Sequence, residues 1–301
     1  MTITIAGVRL THPDKVLYPD QGLTKRELAE YFMKVADRML PFAANHPLTI
    51  VRCPQGVSGH CFYQRHLTEG MPEGFRGMKI SGRGGEKSDF LYISDVAGLI
   101  GAAQIGALEI HVWGAPVDRV RKPDRLVIDL DPSDEVPFAE VKRAAKDVRA
   151  IFNAADVECY PLITGGKGIH TILPLAGEND WNEVKSFAEA IARGLERSEP
   201  ERFIAQASKA KRKGRIFVDW LRNDETATAI APYSPRARKG APVAMPLSWN
   251  EIAKVESSAA YTTVTALRRV AGMKKNPWPG YDRGARISRD TLIAAEKAVA
   301  A

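Results

Sequence analysis

The stretch RLVIDLDPSD, residues 125–134, decides the fold class and the candidate site. Its apolar residues 126–128 predict a buried strand, which ends in the two carboxylates Asp129 and Asp131. Side chains alternate along a strand, so both acids point the same way, about 6–7 Å apart along the backbone. Like charges at that spacing repel unless a positive charge lies between them, and a divalent cation would supply it. The alternative is a strand-end Asp that caps the next helix.

Composition limits the class of protein. The chain has 301 residues, 45% of them hydrophobic, which is enough for one large domain or two lobes. Its net charge of +7 favours an acidic partner, nucleic acid above all. The three cysteines form no C-x-x-C pair, so we expect neither a zinc site nor a disulfide framework. This cysteine usage is typical of a protein in a reducing compartment. No signal peptide and no membrane-spanning apolar run is found, so no membrane partner is expected.

Hydrophobic periodicity predicts short strands mixed with single helices. One helix follows Thr24, which forms a capping box with Glu27, and another runs into a strand that carries His111. Residues 81–88 predict a loop. RIFVDWL and TATAIAPYS, near residues 215–234, suggest a strand pair. Together these elements predict an α+β or α/β domain whose central sheet is partly antiparallel.

A third acid, Asp219, lies in the apolar stretch GRIFVDWLRND. A lone Asp in a strand is usually paired for structural reasons, but beside the first two acids it is a plausible third ligand. Three carboxylates from two strands suit hard cations such as Mg²⁺ or Mn²⁺.

The segment TGGKGIH, residues 164–170, predicts a turn that approaches a ligand closely. Thr164 offers a hydroxyl and Lys167 a charge to a phosphate, and His170 begins the next strand. The spacing is not that of a P-loop, and an ordinary glycine hairpin is the alternative.

Basic residues accompany aromatic and proline-rich turns in four segments, which contain Lys15 and Lys25, Phe62 and Tyr63, residues 209–215, and Arg236 and Arg238. Each run alone would be a solvated face, but together they can stack bases and neutralise phosphates. Acids, turn and basic surface describe a two-metal enzyme acting on nucleotides and a nucleic-acid strand. These features do not separate a polymerase from a nuclease or another nucleotidyltransferase.

Nearly the whole chain resembles the polymerase domain of bacterial DNA ligase D, of the archaeo-eukaryotic primase superfamily. The resemblance rests on HPDKVLYP, CFYQRH, LEIHVW, LVIDLDP, TGGKGIH, IFVDWLRN and TAIAPYSPRARKGAPVAMPLSW, in the family's order. It implies one primase-polymerase domain over residues 1–301, with an RRM-like catalytic sheet, flanking helices and an additional N-terminal mixed α/β lobe. The expected parts are an N-terminal lobe (roughly 1–115), a palm-like catalytic lobe (roughly 116–250) and a C-terminal extension (251–301).

The resemblance also implies template-dependent addition of nucleotides, ribonucleotides by preference, at DNA ends and short gaps during non-homologous end joining. The implied cofactors are two divalent ions, Mn²⁺ or Mg²⁺. The implied partners are NTP or dNTP, DNA ends and gapped duplex with a 5′-phosphate, Ku and an ATP-dependent DNA ligase, in the bacterial cytoplasm at the nucleoid. No ligase or phosphoesterase segment is found, so we expect a free-standing homologue or an excised domain.

Site roles follow from the resemblance residue by residue. The catalytic set is Asp129, Asp131, Asp219 and His111, with the three acids as metal ligands. The nucleotide-binding set is Thr164, Gly166, Lys167, His170, Arg236 and Arg238; the first is often Ser in the family. Lys15 and Lys25 match the lysines that hold the downstream 5′-phosphate. Phe62 and Tyr63 match the pair that stacks near the template, where two phenylalanines are common.

Three alternatives stay open. A true primase would have no evident use for a 5′-phosphate pocket at Lys15 and Lys25. A non-catalytic DNA-end-binding module would place three carboxylates near phosphates, which they repel without metal. A metal-dependent glycosyltransferase would leave the basic surface unexplained.

Overall fold

The computed structural model describes residues 2–81 and 87–300, so most of the loop predicted at residues 81–88 lies outside the described residues. The strands are β1 (Thr2–Ile5), β2 (Val8–Thr11), β3 (Val16–Tyr18), β4 (Leu23–Thr24), β5 (Leu48–Arg52), β6 (Phe62–Gln64), β7 (Phe75–Ser81), β8 (Lys87–Ile93), β9 (Ala107–Trp113), β10 (Arg125–Pro132), β11 (Tyr160–Ile163), β12 (Ile169–Pro174), β13 (Phe203–Ile204), β14 (Ile216–Asp219), β15 (Thr228–Ile230) and β16 (Met245–Pro246). The α-helices are α1 (Lys25–Ala43), α2 (Val96–Gln104), α3 (Phe138–Ala154), α4 (Trp181–Ser198), α5 (Trp249–Ile252), α6 (Thr263–Gly272) and α7 (Arg289–Ala300).

The chain divides into two units, each assembled from separate segments. The first comprises Met1–Trp113, Ile230–Met245 and Tyr261–Lys274. The second comprises Gly114–Ala229, Pro246–Ala260 and Lys275–Ala301. Each unit has its own sheet and helices.

The first unit contains the antiparallel strands β9, β5 and β6. On β9, Leu108, Ile110 and Val112 are buried, and they alternate with Glu109 and His111. Because successive side chains point to opposite faces, the two polar side chains share one face of the strand. This alternation places Glu109 and His111 side by side.

In the second unit, β13, β14, β10, β12 and β11 lie in that order. β13 and β14 are parallel, and the other neighbouring pairs are antiparallel. This is the partly antiparallel sheet that the sequence predicts. β10 lies between β14 and β12, and its residues Leu126, Ile128 and Leu130 are fully buried. Pairing on both sides holds the end of β10, and the acids there, in a fixed position.

The helices begin at capping residues. Thr24 and Glu27 form reciprocal hydrogen bonds at the start of α1, so the predicted capping box is confirmed. Asp180 and Glu183 form another at the start of α4. α1 packs against α2, and α7 packs against both α3 and α4. Within the described residues, no helix has the length and apolar composition that crossing a membrane requires.

One predicted strand pair is wrong. The strands of RIFVDWL and TATAIAPYS are β14 and β15, both within the described residues, and they do not pair with each other. β14 pairs with β10 and β13, whereas β15 belongs to the sheet of β9. Closeness in sequence suggested a hairpin, but β14 is antiparallel to β10, and this pairing sets Asp219 opposite Asp129.

The expectation that the cysteines form no disulfide is also wrong. Cys53 is bonded to Cys61, eight residues further along the chain. Arg52 at the end of β5 pairs with Phe62 at the start of β6, so the next position on each strand brings the two cysteines together. The third cysteine, Cys159, is buried as a thiol. The bond closes a loop immediately before Phe62 and Tyr63.

Candidate functional site

Three predicted acids and one predicted histidine lie together in the second unit. Asp129 on β10 is opposite Asp219 on β14 and also opposite His170 on β12. Cross-strand partners share a face, so His170, Asp129 and Asp219 form one row across three strands. We call these three residues and Asp131, two positions along β10 on the same face, the acid row. Three of its members are buried and Asp131 is partly exposed.

Two arginines neutralise the acid row. Arg222 Nε lies 3.2 Å from Asp129 Oδ2 and 3.1 Å from Asp219 Oδ2. Arg212 Nη1 donates to Asp131 Oδ2 at 3.0 Å. In the sequence, Arg212 stands out only as part of a basic run, and Arg222 does not stand out. The i,i+3 spacing from Asp219 was the available signal for Arg222.

The pKa shifts of the acids follow from burial and from these charges. Burial raises the pKa of Asp129, but His170 and Arg222 outweigh it and hold that pKa at about 2. Burial raises the pKa of Asp131 above its ordinary value, and the charge of Asp129 adds to the effect. Asp219 also has a raised pKa, from burial and from Asp129, against the opposing charge of Arg222. Asp129 is therefore ionised readily, whereas ionisation of Asp131 and Asp219 costs free energy. An additional positive charge at the acid row would lower that cost.

The acid row suits a hard divalent cation by its chemistry. Carboxylate oxygens are the ligands that Mg²⁺ and Mn²⁺ prefer. The Arg222 guanidinium already lies between Asp129 and Asp219, so a cationic group fits there. Across residues 2–81 and 87–300, no three His, Cys, Asp or Glu side chains converge as a metal-binding group. Binding of an ion would exchange guanidinium contacts for metal contacts.

The glycine turn between β11 and β12 is held close to β10. A Cβ on Gly168 would lie 2.4 Å from the Leu130 carbonyl oxygen, so only glycine permits this approach. The Thr164 hydroxyl donates to the Gly168 carbonyl at 3.1 Å, and the Ser258 hydroxyl donates to the same oxygen at 2.6 Å. Both hydroxyls therefore stabilise the turn. Ser258, which lies 90 residues further along the chain than Gly168, is not predicted from the sequence.

Lys167 is the exposed charge of this turn. Its ammonium contacts the carboxylate of Asp134, which is also exposed. At the other end of the turn, His170 Nε2 lies 3.5 Å from Asp129 Oδ1. His170 Nδ1 is buried and has no hydrogen-bond partner among the residues that the structure describes. The turn therefore carries a long, exposed cationic side chain, Lys167, whose charge acts on Asp131 of the acid row.

The predicted histidine and one predicted arginine meet at a carboxylate in the first unit. His111 Nε2 lies 2.7 Å from Glu109 Oε2, and Arg236 Nε lies 3.1 Å from Glu109 Oε1. Arg238, which is exposed, donates its backbone N–H to the Arg236 carbonyl. Glu109 is not predicted from the sequence, because an acid that alternates with apolar residues is typical of any half-exposed strand.

Lys15 and Lys25 lie close together at the start of α1. The Lys25 N–H donates to the Lys15 carbonyl at 2.8 Å, and the Arg26 N–H donates to the Pro13 carbonyl. The first helical N–H groups are therefore already bonded, and a phosphate here would meet the ammonium groups. Lys25 is buried, its Nζ donates to the Thr11 carbonyl, and burial and the charge of Lys15 lower its pKa.

The predicted aromatic pair is accessible. Tyr63 is 72% exposed and Phe62 is 36% exposed, both on β6. The Arg52 guanidinium carbon lies 5.4 Å from the centre of the Phe62 ring, and the His60 ring stacks with the Phe62 ring at a centroid distance of 6.1 Å. Large exposed aromatics beside a cation are suited to stacking bases.

The family model described as LigD, primase-polymerase domain, matches residues 24–278. The chain belongs to this family. The family predicted from the sequence motifs is therefore confirmed, and the chain is a nucleotidyltransferase of the primase-polymerase type. Nucleotidyltransferases of this kind generally need divalent metal ions.

Relatives of the LigD primase-polymerase family match over most of this chain. The multifunctional non-homologous end joining protein LigD of Pseudomonas aeruginosa is 34% identical over 277 residues, covering 92% of this chain and 33% of its own length. The protein of the same name from Mycolicibacterium smegmatis is 37% identical over 251 residues, covering 83% and 33%. The chain thus spans about a third of the length of these curated relatives.

The fold agrees with the LigD family as well. The polymerase domain from Mycobacterium tuberculosis ligase D, solved in complex with DNA, matches with a TM-score of 0.80 at 32% identity. The match covers 87% of this chain and 93% of that domain. The predicted primase-polymerase fold, with a catalytic sheet, flanking helices and a further N-terminal α/β part, is confirmed.

Proposed function

We propose that this chain adds nucleotides, directed by a template strand, to DNA ends and short gaps during non-homologous end joining. The observation that carries the proposal is the acid row, in which Asp129 lies between His170 and Asp219 at the end of a central strand. Membership of the LigD primase-polymerase family supports the same reaction.

In this proposal Asp129, Asp131 and Asp219 hold two divalent ions, Mn²⁺ or Mg²⁺. When bound, such ions activate an attacking hydroxyl and stabilise the charge on the leaving pyrophosphate. The chain's own arginines, Arg212 and Arg222, lower the free energy of the ionised acids until the ions bind. They reduce the electrostatic repulsion among these three carboxylates, two of which are buried.

The incoming triphosphate is bound by the glycine turn and by basic residues. Lys167 supplies an exposed positive charge, and His170 stands beside Asp129. Thr164 and Gly166 shape the turn, and Arg236 and Arg238 supply further guanidinium groups. A family preference for ribonucleotides would rest on contacts to the 2′-hydroxyl.

The DNA end is held by Lys15, Lys25, Phe62 and Tyr63. The two lysines bind a downstream 5′-phosphate, since a buried ammonium with a like charge beside it gains from a dianion. The exposed aromatic pair stacks near the template. We expect Ku and an ATP-dependent DNA ligase as partners in end joining, since the relatives are named non-homologous end joining proteins LigD.

An extension assay tests this function. The wild type is offered a gapped duplex with a 5′-phosphate, a simple primer-template, and a template without primer, each with NTP or dNTP in Mn²⁺ or Mg²⁺. We expect template-matched addition to the gapped duplex, with NTP used better than dNTP. Absence of addition in every arm would contradict the proposal, and efficient synthesis without a primer would favour a primase instead.

A further inference from the structure

Glu109 is a buried carboxylate with three polar partners, all in the first unit. Its Oε2 lies 2.7 Å from His111 Nε2, its Oε1 accepts from the Ala237 N–H at 2.9 Å, and Oε1 also lies 3.1 Å from Arg236 Nε. Only 6% of the residue is exposed. A buried charge is costly unless it is paired and hydrogen-bonded, and here each carboxylate oxygen has a partner.

The electrostatics show that Glu109 is ionised at neutral pH. Burial alone raises its pKa, but the hydrogen bond from His111 and the charge of Arg236 outweigh burial and hold that pKa at about 2. An ionised carboxylate only accepts hydrogen bonds. Arg236 and the Ala237 N–H also favour the ionised carboxylate, which places the proton of the His111–Glu109 hydrogen bond on His111 Nε2.

This constraint fixes the tautomer of the histidine. In the neutral His111 ring, a proton on Nε2 leaves Nδ1 as the acceptor nitrogen. The same carboxylate holds Arg236 at Nε and the following backbone N–H, so it ties the 236–237 turn to β9. Tyr18, which is buried, donates to the Arg236 carbonyl at 3.0 Å and adds a second link to the turn.

We propose that Glu109 is the positioning residue of this site, orienting His111 for turnover and Arg236 for the incoming triphosphate. The inference rests on the proposed function, in which His111 and Arg236 serve those two steps. Glu109 itself touches neither substrate nor metal in this proposal, and it acts through the two side chains that it holds. Residues that orient metal-ligating histidines change activity by about 10–100-fold when lost, and we expect an effect of similar size for a residue that orients His111.

Glu109→Gln tests the proposal with little change of shape. The amide keeps one acceptor oxygen, replaces the other with a donor and removes the charge, so it cannot accept from both His111 and the Ala237 N–H while remaining paired with the Arg236 charge. Glu30→Gln, the same substitution at an exposed position on α1, is the matched control. On a simple primer-template, we expect Glu109→Gln to lower kcat and to raise KM for the nucleotide, each about 10-fold or more, while Glu30→Gln matches the wild type.

Double variants separate positioning from a general structural effect. In a His111→Ala background, Glu109→Gln should lower kcat no further, and in an Arg236→Ala background it should raise KM no further. Undiminished effects in both backgrounds would overturn the proposal, as would wild-type kcat and KM in Glu109→Gln.

NMR of the His111 ring nitrogens tests the positioning role of Glu109 without an activity assay. With ¹⁵N-labelled histidine, the six histidines of the chain give separable ring signals, and His111→Ala assigns the one of interest. We expect the Nε2–H form in the wild type at pH 7.5 and a shifted Nε2 and Nδ1 pair in Glu109→Gln. Identical His111 signals in both proteins would overturn the proposal. If instead the wild type shows the expected ring form but never extends DNA, only the proposed function fails.

Discussion

Protonation of Glu109 should weaken the fold by an amount that the structure sets. Its pKa in the folded protein is about 2, against an ordinary value of 4.5. At about 1.36 kcal/mol for each unit, the difference corresponds to about 3 kcal/mol of the free energy of unfolding. Because folding lowers this pKa, the contribution is complete above about pH 4.5 and is lost as the pH falls through about 2. About 2 kcal/mol should be lost by pH 3.

Urea unfolding measures this contribution at pH 6, 5, 4 and 3. The wild type should lose about 2 kcal/mol more than Glu109→Gln between pH 6 and pH 3, because the amide does not titrate. Other acids titrate in both proteins and cancel in the comparison. Glu30→Gln, which changes an exposed residue, should follow the wild type. Equal losses in wild type and Glu109→Gln would refute the assignment of Glu109 as a buried, ion-paired carboxylate.

Further outcomes follow from other residues of the two units. Lys15→Ala with Lys25→Ala should erase the preference of the wild type for a gapped duplex with a 5′-phosphate over one with a 5′-hydroxyl; binding at fixed salt measures it, and no preference in the wild type would exclude the pocket. Lys167→Ala should raise KM for the nucleotide, because a phosphate contact is lost; unchanged kinetics would make the turn purely structural. Reduction of the Cys53–Cys61 bond, which spans eight residues, should lower the free energy of unfolding by about 2.5 kcal/mol; Cys61→Ser should give the same stability with and without reductant.

The elements that the sequence predicts well are those with local signals. The capping box of Thr24 and Glu27 and the apolar run of β10 are both complete within a few residues, and the structure has them where predicted. Strand pairing is not local. β14 and β15 were expected to pair because they are neighbours in sequence, but register is set by which side chains each strand must bury against distant partners.

The same distinction separates the site residues that the sequence indicates from those it conceals. Asp129 and Asp219 stand out because a carboxylate at the end of an apolar strand is costly to bury unless it is paired or binds a ligand. Glu109 does not stand out, since its role depends on Arg236, 127 residues away in a turn of no regular pattern. Ser258 supports the glycine turn from a position 90 residues further along the chain, with no motif around it. The disulfide escaped prediction because the spacing of two cysteines gives no hairpin register.

The rate of adding a single nucleotide to a 5′-phosphorylated gap, in Asp219→Asn against the wild type, tests the central claim most directly. Asp219→Asn keeps the shape of the side chain and removes one charge of the acid row. Asp147→Asn, which changes an acid on α3 that is paired with Arg202, is the matched control. Since a lost metal ligand costs several kcal/mol of transition-state stabilisation, we predict at least a 100-fold slower rate for Asp219→Asn, with DNA affinity within about twofold of the wild type. A rate within about threefold of the wild type would contradict the assignment of the acid row as the catalytic site.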